Sequence, residues 1–160
     1  MKQLVRIIFF FISVSAAEVT PFQKGLVNYN NRAAGADGLR VRKEPINIAI
    51  KDFKEAYDIL NQDLEAGIYL MRSYYYKGKY ALDNNEEKKK TFNDGKILGE
   101  KLINRYPNSA SAHYWYLVNL GSWAEIYGVL AAAKEGVANI MKDNAEKIIE
   151  LDQEYANGGG

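Results

Sequence analysis

Trp115, Asn119 and Trp123 stand four residues apart in the stretch SAHYWYLVNLGSWAEIYG, Ser111 to Gly128. On a helix that spacing places two indoles and one amide along a single line. Flat apolar walls with a donor and an acceptor between them suit non-covalent capture of an apolar ligand or an extended peptide. Forty-six residues earlier, Tyr69, Ser73 and Lys77 form a similar line of aromatic, hydroxyl and polar groups. The binding residues expected on this reading are Tyr69, Ser73, Trp115, Asn119 and Trp123. The competing reading is an inter-helix core in which a backbone group satisfies Asn119, since aromatic stripes fill interiors more often than they line sites.

Covalent chemistry finds less material. His113 is the sole histidine. Near a helix start it reads as a packed or capping residue, because metal sites and nucleophilic triads need companions at defined spacings. Together with Tyr116, Leu117, Leu120, Ala124 and Tyr127 it marks a second stripe on the same helix, spaced as core. Tyr29, Asn30 and Arg32 share one turn and suit hydrogen bonding between helices. Tyr74, Tyr75 and Tyr76 cover nearly a full turn, so one or two of them must reach solvent or another chain. The chain has no cysteine, which excludes disulfides, thiolate metal sites and a cysteine nucleophile. The expectation is a non-enzymatic protein without cofactor or metal.

The 21 basic and 20 acidic residues are interspersed and the formal net charge is +1. No footprint for a phosphate backbone is present, and nucleic acid is not an expected partner. The run Glu86 to Lys90 is nearly neutral and reads as a solvated first turn. At the N-terminus, Lys2 and Arg6 precede an apolar run, Ile7 to Ile12, and then Ser13, Ser15, Ala16 and Ala17. This is the layout of a signal peptide, residues 1–17, cleaved after Ala17, and its apolar run is too short for a permanent anchor. It implies a periplasmic or secreted location for a mature domain over residues 18–160.

These residues must be carried by helices, because no strand-like alternation persists anywhere in the remaining chain. Thr20 and Pro21 cap a first helix that Gly35 and Gly38 close. A second begins near Pro45, with Ile46, Ala49, Ile50, Phe53, Ala56, Tyr57 and Leu60 forming one apolar stripe and Lys51, Asp52, Lys54, Glu55 and Asp58 the opposite face. The third is LEAGIYLMRSYYYKGKYAL, and the fourth starts at Asn84 or Asn85, with Glu86 and Glu87 at the positive end of its dipole. Pro107 and Asn108 interrupt the chain before the aromatic fifth helix, and VANIMKDNAEKIIELDQEY is the sixth. Gly95, Gly99, Gly121 and Gly128 fall at positions expected to allow close helix packing.

The ends of the second, fourth and sixth helices, at Asn61, Pro107 and Gln153, are spaced by 46 residues. In that register Phe53, Gly99 and Ala145 coincide, as do Ala56, Leu102 and Ile148, and Tyr57, Ile103 and Ile149. A period of one helix pair predicts an all-α fold of about six helices, antiparallel pairs stacked as an α-solenoid, with an up-and-down bundle as the rival.

Ala49-x3-Phe53-x2-Ala56 and NRYPNSASAHYWYLV resemble the tetratricopeptide repeat signature, although the period here is longer than the one usual in that family. The stretches AHYWYLVNLGSWAEIYGVL and AEKIIELDQEYANGGG are similar to the central part of the tetratricopeptide-like T components of tripartite ATP-independent periplasmic transporters, over about residues 22–160. The resemblance implies an exported accessory protein that binds a periplasmic solute-binding partner, assembles with itself, and continues in further helices past Gly160. The alternative is a carrier or pore-forming module that holds a small apolar or amphipathic ligand in its aromatic-lined groove.

Overall fold

A computed structural model describes residues 18–59 and 63–155. Among the described residues seven α-helices follow one another: α1 Pro21–Asn30, α2 Lys43–Tyr57, α3 Asp63–Tyr76, α4 Asn85–Arg105, α5 Ala110–Tyr127, α6 Val129–Lys134 and α7 Val137–Leu151. No strand occurs among the described residues, apart from one isolated bridge between Asp37 and Arg40. The fold is all-α.

Local chemistry explains most boundaries. Thr20 Oγ1 accepts from the Gln23 amide at 3.2 Å. In return, Gln23 Oε1 accepts from the Thr20 amide at 2.9 Å. This reciprocal pair satisfies two early amides, and Pro21 occupies the first turn, where an amide proton would have no partner. Asn84 Oδ1 accepts from the amides of Glu86 and Glu87, which settles the start of α4 on Asn84. Ser109 Oγ accepts from the Ala112 amide and starts α5. Gly128, at φ 91°, ends α5, and Gly136, at φ 66°, separates α6 from α7. Both torsions lie in the region glycine alone enters freely. Gly128 is therefore a helix stop, not the packing glycine expected, and the six helices read from the sequence become seven because this stop releases the short α6.

The α3 helix continues past Tyr76 into a π-helical turn, Lys77–Ala81. Gly78 within it meets the Phe92 ring so closely that a β-carbon would collide with the ring.

The helices α1 to α5 pack principally on their neighbours in sequence, α3 also meets α5, and α7 packs principally on α5. In succession α3, α4 and α5 run antiparallel: Gly67 lies against Leu102 and Gly78 against Phe92 across α3 and α4, while Gly95 lies against Asn119 and Gly99 against Tyr116 across α4 and α5. The 46-residue register reappears in space, where Lys79 on the π turn pairs with Glu125 on α5 at 3.5 Å. At the matched positions Ala56, Leu102 and Ile148 are all buried.

The core has two connected parts. Phe22, Ile46, Phe53, Met71 and Leu102 fill the space among α1 to α4, and Phe92, Tyr116, Leu120, Trp123 and Val137 fill that among α4, α5 and α7. The α5 helix is contacted by α3, α4, α6 and α7, which is why its sequence is apolar all round.

Candidate functional site

The structure places the five residues singled out from sequence inside the protein. Trp115, Asn119, Trp123 and Ser73 are buried and Tyr69 is half-buried. Asn119 Nδ2 donates to the carbonyls of Met71 at 3.2 Å and Trp115 at 2.9 Å, so the amide ties α5 to α3. Ser73 Oγ donates to the Tyr69 carbonyl at 2.8 Å. The Trp123 ring stacks on Tyr127, centroids 4.6 Å apart, beneath the Lys96 ammonium. Trp115 and Tyr69 belong to the first part of the core and Trp123 to the second, so the five do not converge on one hollow. The expected aromatic-lined groove is an inter-helix core. Both indoles are covered because α5 has neighbours on every side.

His113 is equally enclosed. Its Nδ1 lies 2.6 Å from Asn144 Oδ1 and its Nε2 lies 3.0 Å from the Pro107 carbonyl, joining the start of α5 to α7 and to the α4–α5 turn. Both facing atoms are acceptors, so a neutral ring donates to one of them and only packs against the other. Tyr116 is buried beside Glu100, and burial first, then that carboxylate, pushes its phenol up to about 12.

Two clusters reach the surface. On one side Arg32 lies over Tyr29 at 4.0 Å and Tyr76 at 4.9 Å, and Arg72 lies among Tyr69, Trp115 and Tyr29 at 4.8 to 5.5 Å. Neither guanidinium has a carboxylate within ion-pair distance among the described residues, and the ring faces take that place. Tyr75 and Tyr76 are half-buried here while Tyr74 turns inward on the opposite side of α3.

On the other side α2 and α4 stand apart over α3 and leave a cleft. Two hollows of about 430 and 350 Å³ share Lys54, Tyr74, Lys90 and Asp94 and so adjoin along α3. The cleft floor includes Leu70 and Tyr74 of α3 and Lys77, where the π turn begins. Lys43 and Lys54 line the α2 wall and Lys90 and Lys101 the α4 wall. Lys43 pairs with Glu87 at 3.3 Å and Lys90 with Asp94 at 2.7 Å. Lys54, Lys77 and Lys101 have no carboxylate at ion-pair distance among the described residues. Burial lowers the Lys77 pKa; Glu87 opposes that shift, while Lys43, Lys54 and Lys90 add to it. The Tyr74 phenol is pushed up, by burial and then by Asp94.

Reading the sequence for apolar stripes assigned Lys54 to a polar face and Lys90 to a solvated first turn, set Lys77 on the aromatic line with Tyr69 and Ser73, and singled out neither Lys43 nor Lys101. A signal was present nonetheless: Lys43 and Lys54 are eleven residues apart, as are Lys90 and Lys101, and eleven residues make about three helical turns. Each pair therefore lies along one line of its helix, and both lines border the space between α2 and α4.

The family model described as regulator of microtubule dynamics protein 1-3 matches residues 36–157, from the loop before α2 to just past α7. The chain belongs to that family. Over 77 residues it is 38% identical to regulator of microtubule dynamics protein 2 of Bos taurus and 34% identical to the protein of that name from Homo sapiens. The aligned part is 48% of this chain and 18% of each relative, so the chain spans a minor part of the length of the curated relatives it matches.

Membership of this family overturns the likeness to the transporter T components. That likeness rested on aromatic and small residues at helix-pair spacing, which any stacked-hairpin array requires for packing. With it go the periplasmic transport role, the carrier alternative and the periplasmic or secreted location, since the relatives are animal proteins named for microtubule dynamics. The leader read over residues 1–17 lies outside the described residues. No helix among those described is long and apolar enough to cross a membrane.

Proposed function

We propose that this chain is a protein-binding helical-repeat module that takes part in regulating microtubule dynamics, acting by contact with a protein partner and not by catalysis. The family match across α2 to α7 carries this reading, because it takes in the second part of the core, the first part apart from the α1 side chains, and the entire lysine-lined cleft. Arrays of stacked hairpins present long surfaces, and such surfaces suit extended partners better than small substrates. The two outward clusters support the reading: ring-stacked guanidinium groups on one side and unpaired lysines on the other are contact groups, and no arrangement of nucleophile, base and orienting acid accompanies them among the described residues.

The test is direct. The purified chain is mixed with polymerised tubulin and sedimented, and the growth and shrinkage rates of single microtubules are followed as its concentration is raised. The expected result is saturable co-sedimentation with a change in at least one rate. A chain that stays in the supernatant and leaves every rate unchanged as it is raised well above the tubulin concentration, while folded by circular dichroism, overturns the proposal.

A further inference from the structure

The cleft between α2 and α4 has a chemistry of its own. Five lysines, Lys43, Lys54, Lys77, Lys90 and Lys101, border it against three carboxylates, Asp58, Glu87 and Asp94. Two of the lysines are already neutralised within the protein, by Glu87 and Asp94. The remaining three are spread along the depression, Lys54 and Lys101 exposed on opposite walls and Lys77 half-buried in the floor. Like charges gathered in a cleft with low-dielectric walls focus a positive potential that a bound anion relieves.

Shape narrows the ligand. The cleft runs beside α2 from Lys43 to Asp58. The helical rise makes that stretch long enough to lie alongside several residues of extended chain. Its lining alternates ammonium groups with apolar surface from Ile50, Leu70, Tyr74 and Leu98. An extended peptide shows successive side chains to opposite sides, so one with acidic and apolar residues in turn can satisfy both kinds of lining. Lysine is a point charge on a flexible stem without arginine's planar fork, so this site accepts anionic groups at somewhat variable spacing, and it is the apolar lining between the ammonium groups that favours an acidic peptide. The concavity disfavours a flat bilayer, whose headgroups reach the rim before the floor.

We propose that the α2–α4 cleft docks an extended acidic segment of a protein partner, with its carboxylates against Lys54, Lys77 and Lys101 and its apolar side chains against Leu70 and Tyr74. That a microtubule-associated partner supplies the segment rests on the function proposed above. That the cleft takes such a segment rests on its own geometry.

A fluorescein-labelled short peptide alternating glutamate and leucine is titrated with the full chain, and binding is read by anisotropy at low and moderate salt. Saturable binding is expected, weakened at least tenfold by Lys54→Glu with Lys101→Glu and weakened by added salt. The exposed control pair Lys24→Glu with Lys134→Glu leaves it unchanged. Both walls are substituted at exposed positions, and circular dichroism checks that each variant folds. Equal affinity in the Lys54→Glu, Lys101→Glu variant overturns the proposal, as does equal binding of a peptide alternating lysine and leucine. Retention by phosphatidylserine vesicles without binding of the acidic peptide overturns it in favour of a membrane. If the peptide binds as expected but polymerised tubulin is not bound, the cleft stands and the microtubule reading fails; if tubulin is bound but the charge-reversed variant holds the peptide as tightly as the parent, the cleft proposal fails and the microtubule reading stands.

Discussion

The two sides of α3 use the same repeat spacing to opposite ends. Toward α5, helices one period apart come into contact: Asn119 reaches the Met71 carbonyl, and Lys79 meets Glu125 one full repeat away. Toward α2 and α4, the helices one period apart are separated by a cleft wide enough for two adjoining hollows of about 430 and 350 Å³. A stack whose helices converge on one side must splay on the other. Close approach demands glycine, serine and asparagine, whereas the open side is lined by long charged side chains that tolerate water. Stability should therefore reside in the α3–α4–α5 crossing and binding in the cleft, and substitutions can separate the two.

The crossing should break first at Gly99. A β-carbon there would lie 2.6 Å from the Tyr116 ring and 3.1 Å from the Tyr116 Cα, and the backbone of α5 cannot yield as a side-chain tip can. Gly99→Ala is expected to destabilise by about 2–4 kcal/mol, as overpacking of a tight interior does. Lys54→Ala in the cleft should stay within about 0.5 kcal/mol of the parent. Urea unfolding followed by circular dichroism measures both, and similar midpoints for the two variants would remove the distinction between the sides.

A smaller effect is expected at Asn119. Its amide donates two buried hydrogen bonds, and its Oδ1, tucked against Gly95, has no hydrogen-bond partner among the described residues. Asn119→Ala removes both donations and leaves a small cavity, for a loss of about 1–3 kcal/mol. The half-satisfied amide keeps that figure below the loss for Gly99→Ala. A ligand-holding role for Asn119 would instead leave the unfolding midpoint unmoved.

Much of this was legible in the sequence. Thr20 with Pro21, Asn84, and the apolar stripe of α2 located helix starts and buried faces, because capping and helical periodicity are local effects. The repeat register identified Ala56, Leu102 and Ile148 as equivalent, and all three are buried. Gly128 read as a packing residue because its torsion, which makes it a stop and creates α6, depends on the chain beyond it. The indoles of α5 read equally well as groove or core, since a stripe shows that a face is covered but not by what. The lysines of the cleft belong to two helices far apart in the chain, so each pair resembles an ordinary wet face until α2 and α4 are set side by side. Family membership came from similarity across the chain and not from any spacing, because hairpin arrays of different function share the same packing residues.

The finest contrast lies in how the cleft responds to pH. Burial, with Lys43, Lys54 and Lys90 adding to it and Glu87 opposing, holds the folded-state pKa of Lys77 below its ordinary 10.5. Its protonated form is therefore disfavoured in the folded chain relative to the unfolded one. The resulting penalty is complete at pH values below the folded pKa, diminishes as pH rises from there toward the ordinary value, and is gone above it. Lys77→Met should accordingly be slightly more stable than the parent at pH 7, by about half a kcal/mol given that the ammonium still touches water and is screened. The advantage should vanish near pH 11. Thermal melts of the two proteins between pH 7 and 11 make the comparison. In the same melts acidic peptide should shift the parent upward more than the variant at pH 7, because an anion offsets the lysine charge that the variant lacks. A variant less stable than the parent at neutral pH would show that Lys77 is already satisfied within the fold, and the cleft would then offer the peptide two free charges instead of three.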